Sequence, residues 1–152
     1  MNAFELLKQD HRKVEEIFSQ LETTTERGVK TREELFTKLK QELDIHAHIE
    51  ETILYPVLKQ QAETREVTFE GYEEHAVVKD LLRDLAATPV DTEEWTAKLK
   101  VLQENVEHHV EEEEGEMFKD AQKALSTEEI NSLGERLDAE KQAQKRSLTA
   151  GA

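Results

Sequence analysis

Cysteine is absent from the 152 residues of this chain. Its absence excludes disulfide bonds, thiolate nucleophiles, cysteine-based zinc sites and iron–sulfur clusters held by thiolates. Any metal site must therefore be built from imidazole and carboxylate groups, which the chain has in quantity: 6 histidines and 35 aspartates and glutamates.

Glycine and proline are scarce, with 5 and 2 residues, and no stretch alternates polar and apolar residues as a half-buried strand does. Most of the surface positions are Glu, Lys, Gln and Ala, which are good helix formers. The composition predicts an all-α protein.

Positive charge is also in short supply. The formal net charge is −15 and the pI is about 4.8, so phosphate backbones and anionic lipid headgroups are repelled while cations are attracted. No run approaches the roughly 18 apolar residues of a membrane span, and the N-terminus has no signal-peptide pattern. We expect a soluble, cytoplasmic protein that binds neither nucleic acid nor membrane.

Apolar residues recur at helical spacing through most of the chain. The spacing predicts helices at about residues 2–24, 31–57, 65–87, 92–124 and 126–145. Thr31, Thr92 (or Asp91) and Ser126 are the expected N-caps, and Pro56 predicts a kink or an altered last turn in the second helix. The tail from Lys145 is expected to be frayed.

The first four predicted helices are long and joined by short loops, which is typical of an antiparallel up-down-up-down four-helix bundle. We assign residues 1–124 to this bundle. Residues 125–152 form a short C-terminal helix and tail of the same single domain, and this helix packs across an end of the bundle or stays partly mobile.

Polar residues interrupt the apolar seams of all four bundle helices. Each helix places one histidine on its seam, and the second and fourth helices add a glutamate four residues later, on the same helix face. The six residues are His11, His46, Glu50, His75, His109 and Glu113. Because unpaired buried carboxylates are costly, this pattern predicts a site for divalent cations such as iron, zinc or manganese.

The two halves of the chain repeat this pattern, with His46 and Glu50 in one half and His109 and Glu113 in the other. A duplicated helical hairpin would place two equivalent half-sites face to face. The repeat therefore predicts two metal ions bridged by the two glutamates.

The register of the fourth helix has alternatives. His108 with Glu112 has the same spacing, and Glu114 is one residue beyond Glu113. Alignment of the halves through the aromatic residues at 55 and 118 selects His109 and Glu113. The remaining residues of the two motifs then form a solvated face or support the histidine ligands: His48, Glu51, His108, Glu111, Glu112 and Glu114.

This pattern resembles the hemerythrin-like family, specifically its HHE cation-binding branch. The resemblance covers about residues 4–120 and rests on Asp10-His11, HAHIEETILYP at 46–56, Glu74-His75 and HVEEEEGEMF at 109–118. It implies a four-helix bundle around two non-haem irons with an oxo or hydroxo bridge. By position, the four seam histidines would be terminal ligands, and Glu50 and Glu113 would be bridging carboxylates; Zn or Mn are possible substitutes.

The chain departs from the oxygen-carrying hemerythrins at two points. Lys79 stands where they have a second histidine of the third helix, and the fourth helix has His-x-x-x-Glu where they have His-x-x-x-x-Asp. One imidazole fewer leaves an open position, which favours reactivity over reversible oxygen carriage.

Three functions are therefore open at this stage. The first is a di-iron protein that engages dioxygen, nitric oxide or peroxide in sensing, stress response or iron handling. The second is a di-iron enzyme with catalase- or peroxidase-like or ferroxidase activity. The third is a structural bundle with a zinc ion or a hydrogen-bonded polar core. The sequence identifies no protein partner.

Overall fold

The computed structural model describes residues 1–150, except for the side chain of residue 150. Within that range every regular element is helical, as predicted. The elements are α1 (Ala3–Glu22), α2 (Val29–Ile49), a first π segment (Glu50–Leu54), α3 (Tyr55–Leu58), α4 (Arg65–Ala86), α5 (Glu93–Glu112), a second π segment (Glu113–Met117), α6 (Phe118–Ala124) and α7 (Thr127–Ala150).

Four rods form the bundle. The first is α1, the second is continuous from 29 to 58, the third is α4, and the fourth is continuous from 93 to 124. α1 packs against α2 and α4 packs against α5, so each half of the chain is a helical hairpin. The predicted four-helix bundle is confirmed. No helix within residues 1–150 is long and apolar enough to cross a membrane.

Two apolar cores fill the bundle, one at each end. Leu7 and Ile49 belong to one core, together with residues of α7, and Val14 and Leu43 belong to the other. His11 lies between Leu7 and Val14 along α1, so the polar seam residues form a layer between the two cores.

Within residues 1–150, three of the five helices that begin after a loop or at the N-terminus have a side-chain cap: α1, α5 and α7. Asn2 and Glu5 form a capping box at α1, Thr92 accepts a hydrogen bond from the Trp95 amide (3.2 Å), and the predicted Ser126 and Glu129 box is present. The prediction of Thr31 as an N-cap is wrong. α2 begins at Val29 after Gly28, which offers no side-chain cap.

The fifth predicted helix is present as α7, and it runs further than expected. Helix continues through Lys145 to Ala150, so the described part of the tail is not frayed, while residues 151–152 lie outside the described residues. α7 does not cross an end of the bundle but packs along α1 and α2. Gly134 permits this approach, because a Cβ there would lie 2.6 Å from the Met1 carbonyl oxygen and 2.8 Å from the Ala3 nitrogen.

Substitution of Gly134→Ala tests this packing. The new methyl group meets backbone atoms that cannot rotate away, so α7 must move off the N-terminus at a cost of about 1–3 kcal/mol in the free energy of unfolding. Gly115→Ala is the matched control, since a Cβ there has no neighbour within 4 Å. Chemical denaturation of both variants measures the difference; equal stabilities would contradict the tight seating of α7.

Candidate metal centre

The six seam residues meet in the polar layer, and none has more than 6% of its surface exposed. The Nε2 atom of each histidine points to a glutamate oxygen. From Glu50 Oε1, the Nε2 atoms of His46 and His75 lie at 3.2 and 3.0 Å. From Glu113, the Nε2 atoms of His11 and His109 lie at 3.0 and 3.2 Å.

These donors form two overlapping sets. One is His11, His46, Glu50 and Glu113; the other is Glu50, His75, His109 and Glu113. Ligand atoms bound at about 2.1 Å and at right angles on one ion lie about 3 Å apart, which is the spacing observed. Since both sets contain Glu50 and Glu113, the arrangement fits two ions that share two carboxylates.

Two buried polar atoms of the cluster have no hydrogen-bond partner: Glu50 Oε2 and His109 Nε2. An unpaired buried acceptor on a fully buried carboxylate is unfavourable, and each such atom needs a specific explanation. A cation between the two sets would satisfy both atoms. The residues present therefore fit a metal centre, and the buried histidine and glutamate cluster indicates metal binding.

A second ring of carboxylates holds the histidines from behind. Each Nδ1 atom contacts one carboxylate oxygen: His11 with Glu114 (2.6 Å), His46 with Asp10 (3.1 Å), His75 with Glu51 (2.9 Å) and His109 with Glu74 (2.6 Å). A carboxylate partner places a proton on Nδ1 and leaves the Nε2 lone pair for the centre, which orients a histidine for metal binding.

Charge balance in this layer is delicate. Burial favours a lower pKa for His46, yet the charge of Glu50 and the hydrogen bond with Asp10 outweigh it and hold this pKa well above its usual value. Burial likewise favours a higher pKa for Glu113, but the charge of His109 outweighs it and holds this pKa well below its usual value. The charged forms of His46 and Glu113 are therefore both favoured by their neighbours.

A π-helical turn begins at each of the two shared glutamates. The Tyr55 amide donates to the Glu50 carbonyl and the Phe118 amide donates to the Glu113 carbonyl, five residues back in each case. π turns occur often at functional sites because they change the direction of a side chain. The first π turn ends just before Pro56, which agrees with the expected altered turn; the second has no proline to signal it.

Tyr55 adds a phenol to the site. The sequence pattern uses this residue only to align the two halves and does not predict its place beside the cluster. Its hydroxyl donates to Glu113 Oε2 at 2.7 Å and lies 3.4 Å from His75 Nε2. The corresponding residue of the other half, Phe118, is apolar and lies parallel to the His11 ring. The two half-sites therefore differ by one hydroxyl group.

A cavity of about 30 Å³ opens beside the histidines, on the side of the second apolar core. Its lining includes all four cluster histidines, the apolar side chains Val14, Leu43, Val78, Leu82 and Val106, and Lys79. This volume is about that of one water molecule in the liquid. The Lys79 ammonium pairs with Glu51 at 3.3 Å, so it does not replace an imidazole donor.

Burial distinguishes the two alternative pairs on the fourth rod. His109 and Glu113 lie in the cluster, whereas His108 has 65% of its side chain exposed. Glu51 and Glu114 hold histidines of the cluster through their Nδ1 atoms. This is the second of the two roles that the sequence leaves open for them, the first being a solvated helix face. The sequence motifs contain Asp10 and Glu74 but do not predict that they hold histidines. The signal for this role is an acidic residue directly before the first histidine of each half.

These features define a class: a helical-bundle protein with a buried site for metal cations. The family model for the hemerythrin HHE cation-binding domain matches residues 2–121. The chain therefore belongs to the hemerythrin HHE cation-binding family, as its motifs had indicated.

Two relatives are similar over most of the chain. The crystal structure of a hemerythrin HHE cation-binding domain-containing protein from Mycobacterium kansasii superposes with a TM-score of 0.87 at 27% identity, covering 97% of this chain and 89% of that chain. A DNA nickase from Nostoc sp. is 27% identical over 144 residues, which are 93% of this chain. This chain spans only 39% of the length of that nickase.

Gly71 is the position that admits Tyr55 to the centre. A Cβ at residue 71 would lie 2.8 Å from the Tyr55 hydroxyl oxygen and 3.0 Å from its Cζ atom. Gly71→Ala should therefore destabilise the fold by about 1–3 kcal/mol and displace the phenol from Glu113. In a Tyr55→Phe background the same substitution should cost less, with a coupling of about 0.5 kcal/mol or more in a double-mutant cycle. Equal costs in both backgrounds would show that the two residues do not conflict.

Proposed function

We propose that this protein holds two non-haem iron ions and engages dioxygen, nitric oxide or peroxide beside them. The single observation that carries the proposal is the pair of donor sets that share Glu50 and Glu113. His11 and His46 would hold one ion, His75 and His109 the other, and the two glutamates would bridge them. An iron pair of this kind supplies redox chemistry toward small oxidants.

Iron fits this donor set better than the alternatives. Imidazole suits zinc, copper, iron and nickel, while carboxylates suit harder ions such as manganese, so a mixed set favours a metal that accepts both. A structural zinc site closes its tetrahedral shell with four ligands of its own. Here each proposed ion would have four donors, two imidazoles and the two shared carboxylates, which would fill the shell of a tetrahedral zinc but leave positions open on a six-coordinate iron. Zinc or manganese remain possible substitutes.

The small cavity supports a small ligand. About 30 Å³ admits a diatomic molecule or peroxide but no larger substrate, and its apolar lining suits a ligand with little charge. Lys79 also lines the cavity, so the open coordination position expected there would face the cavity. Around it, the chain's own groups orient the donors: the carboxylates at Nδ1 fix the imidazoles, and the Tyr55 hydroxyl donates to Glu113.

Peroxide breakdown is the second candidate function. The observation that favours it is the Tyr55 hydroxyl, a protic group within 3.4 Å of both Glu50 and His75 at one half-site only. A neutral phenol there is consistent with its environment, because burial and the charge of Glu113 raise the pKa of Tyr55 well above its usual value. A ferroxidase reading has less support, since those sites use Glu-x-x-His on two helices.

The nickase relative does not extend this proposal to DNA. The chain matches 39% of that protein, and its own net charge of −15 repels a phosphate backbone. We propose a small diatomic ligand or peroxide as its partner, and no nucleic acid.

Metal analysis of purified, iron-reconstituted protein tests the centre. We expect roughly two irons per chain, one for each donor set, and a charge-transfer absorption in the near ultraviolet. Glu113→Gln replaces a shared carboxylate by an amide and should weaken iron binding by at least about 10- to 100-fold. Glu111→Gln, on the exposed face of the same rod, should leave the iron content unchanged. A chain that refuses iron, or an equal loss in both variants, would contradict the proposal.

The same sample separates the two candidate functions. Steady oxygen evolution on addition of peroxide indicates turnover, and its loss in Tyr55→Phe with iron retained would assign the phenol to that reaction. A spectral change with nitric oxide or dioxygen and no oxygen evolution from peroxide indicates a binding or sensing protein.

A further inference from the structure

A third group of metal-ligating side chains lies outside the buried cluster, on the face of α4 and α5. It consists of Glu74, His108 and Glu112, whose ligand atoms all lie within 4.8 Å of one another. His108 Nε2 is 3.4 Å from Glu112 Oε1 and 3.7 Å from Glu74 Oε2. Unlike the cluster, this group reaches the surface: His108 is 65% exposed, and Glu74 and Glu112 are 22% and 29% exposed.

Two carboxylates face one another in this group. One oxygen of each carboxylate lies within 4.8 Å of an oxygen of the other. Glu112 Oε2 is buried and has no hydrogen-bond partner. Among the described residues, histidine is the only basic partner of these two glutamates. Like charges at this distance oppose each other unless a proton or a cation lies between them.

The other half of the repeat shows what balances such charge. Asp10 corresponds to Glu74, because both directly precede the first histidine of their half and both hold the Nδ1 atom of the second histidine. Asp10 also pairs with the Lys141 ammonium, which α7 brings to it. The chain thus supplies its own cation on that side, while α7 packs along α1 and α2.

Two further pairs of equivalent positions on the two hairpins have different residue types. Ile45 and Ile49 are buried on the covered side, and the residues that correspond to them in the repeat are His108 and Glu112. The open face therefore carries two metal-ligating side chains in place of two apolar ones. Solvent exposure alone explains why this helix face has polar residues. It does not explain why their ligand atoms converge on one point.

We propose that Glu74, His108 and Glu112 form an outer site for one divalent cation, which takes the place that the Lys141 ammonium takes in the other half. One imidazole and two carboxylates suit iron, zinc or manganese, with water completing the coordination. Glu74 connects the outer ion to the buried centre, because its other oxygen accepts from His109 Nδ1. The outer site stands on its own residues and does not require the buried centre to hold iron.

Equilibrium dialysis of the full chain against Zn²⁺ alone tests the site. We expect one ion in addition to those of the buried centre, bound more weakly because its ligands are partly hydrated. His108→Ile, which installs the residue of the covered half, and Glu112→Gln should each weaken this ion by roughly tenfold or more. Both variants should retain the buried ions and the thermal stability of the parent protein.

His48→Ala is the matched control, since His48 is a partly exposed histidine that pairs with Glu140 on the α7 side. It should retain the outer ion. If His108→Ile binds as much Zn²⁺ as the parent over the whole range, or if His48→Ala loses the same ion, the binding is spread over the acidic surface and the proposal is overturned.

A Glu50→Gln/Glu113→Gln variant distinguishes this proposal from the proposed function. It should lose the buried ions and keep one ion that still depends on His108. If the buried centre binds no metal at all, the parent chain should show the same single ion. Absence of any His108-dependent ion in this background would overturn the outer site and leave the buried centre untouched.

Discussion

The structure depends on two carboxylates that have no access to water. Glu50 and Glu113 are fully buried in a polar layer between the two apolar cores of the bundle. Burial of unpaired charge costs several kcal/mol, so these positions are tolerated only with compensation nearby. Four imidazoles provide it, and four further carboxylates hold those imidazoles. Lys141 pairs in turn with one of these carboxylates, Asp10. The polar layer is therefore a network in which the imidazoles stabilise the two buried glutamates and the outer carboxylates stabilise the imidazoles.

The repeat explains the symmetry of this network, and three departures from it explain what the site can do. α7 covers one hairpin and leaves the other exposed. Tyr55 brings a hydroxyl to one half-site where Phe118 brings none. Gly71 provides the space for that phenol, while the first half has Leu7 at the corresponding position. Two ions bound as proposed would therefore have different neighbours.

Much of the fold and the cluster could be predicted because both depend on helical periodicity. His11 and His75 interrupt apolar seams, and the four-residue spacing of His46 and Glu50 survives any small error in a helix boundary. The π turns could not be predicted in the same way, since they change hydrogen bonding without a consistent residue signal. The path of α7 depends on tertiary packing at Gly134, which a local pattern does not record.

The contacts of Lys79 bear on the proposed preference for reactivity over oxygen carriage. A histidine at this position would add a donor on the cavity side of the centre. The lysine instead pairs with Glu51, which also holds His75 Nδ1, so Lys79 belongs to the support of a proposed ligand and is not itself a donor. The hydrogen bond to His75 is the largest of the contacts that lower the pKa of Glu51, and together these contacts outweigh burial, which acts to raise it. Under the proposed function, the centre would therefore have an open position while carboxylates keep its remaining ligands oriented, which is the combination that chemistry at a metal requires.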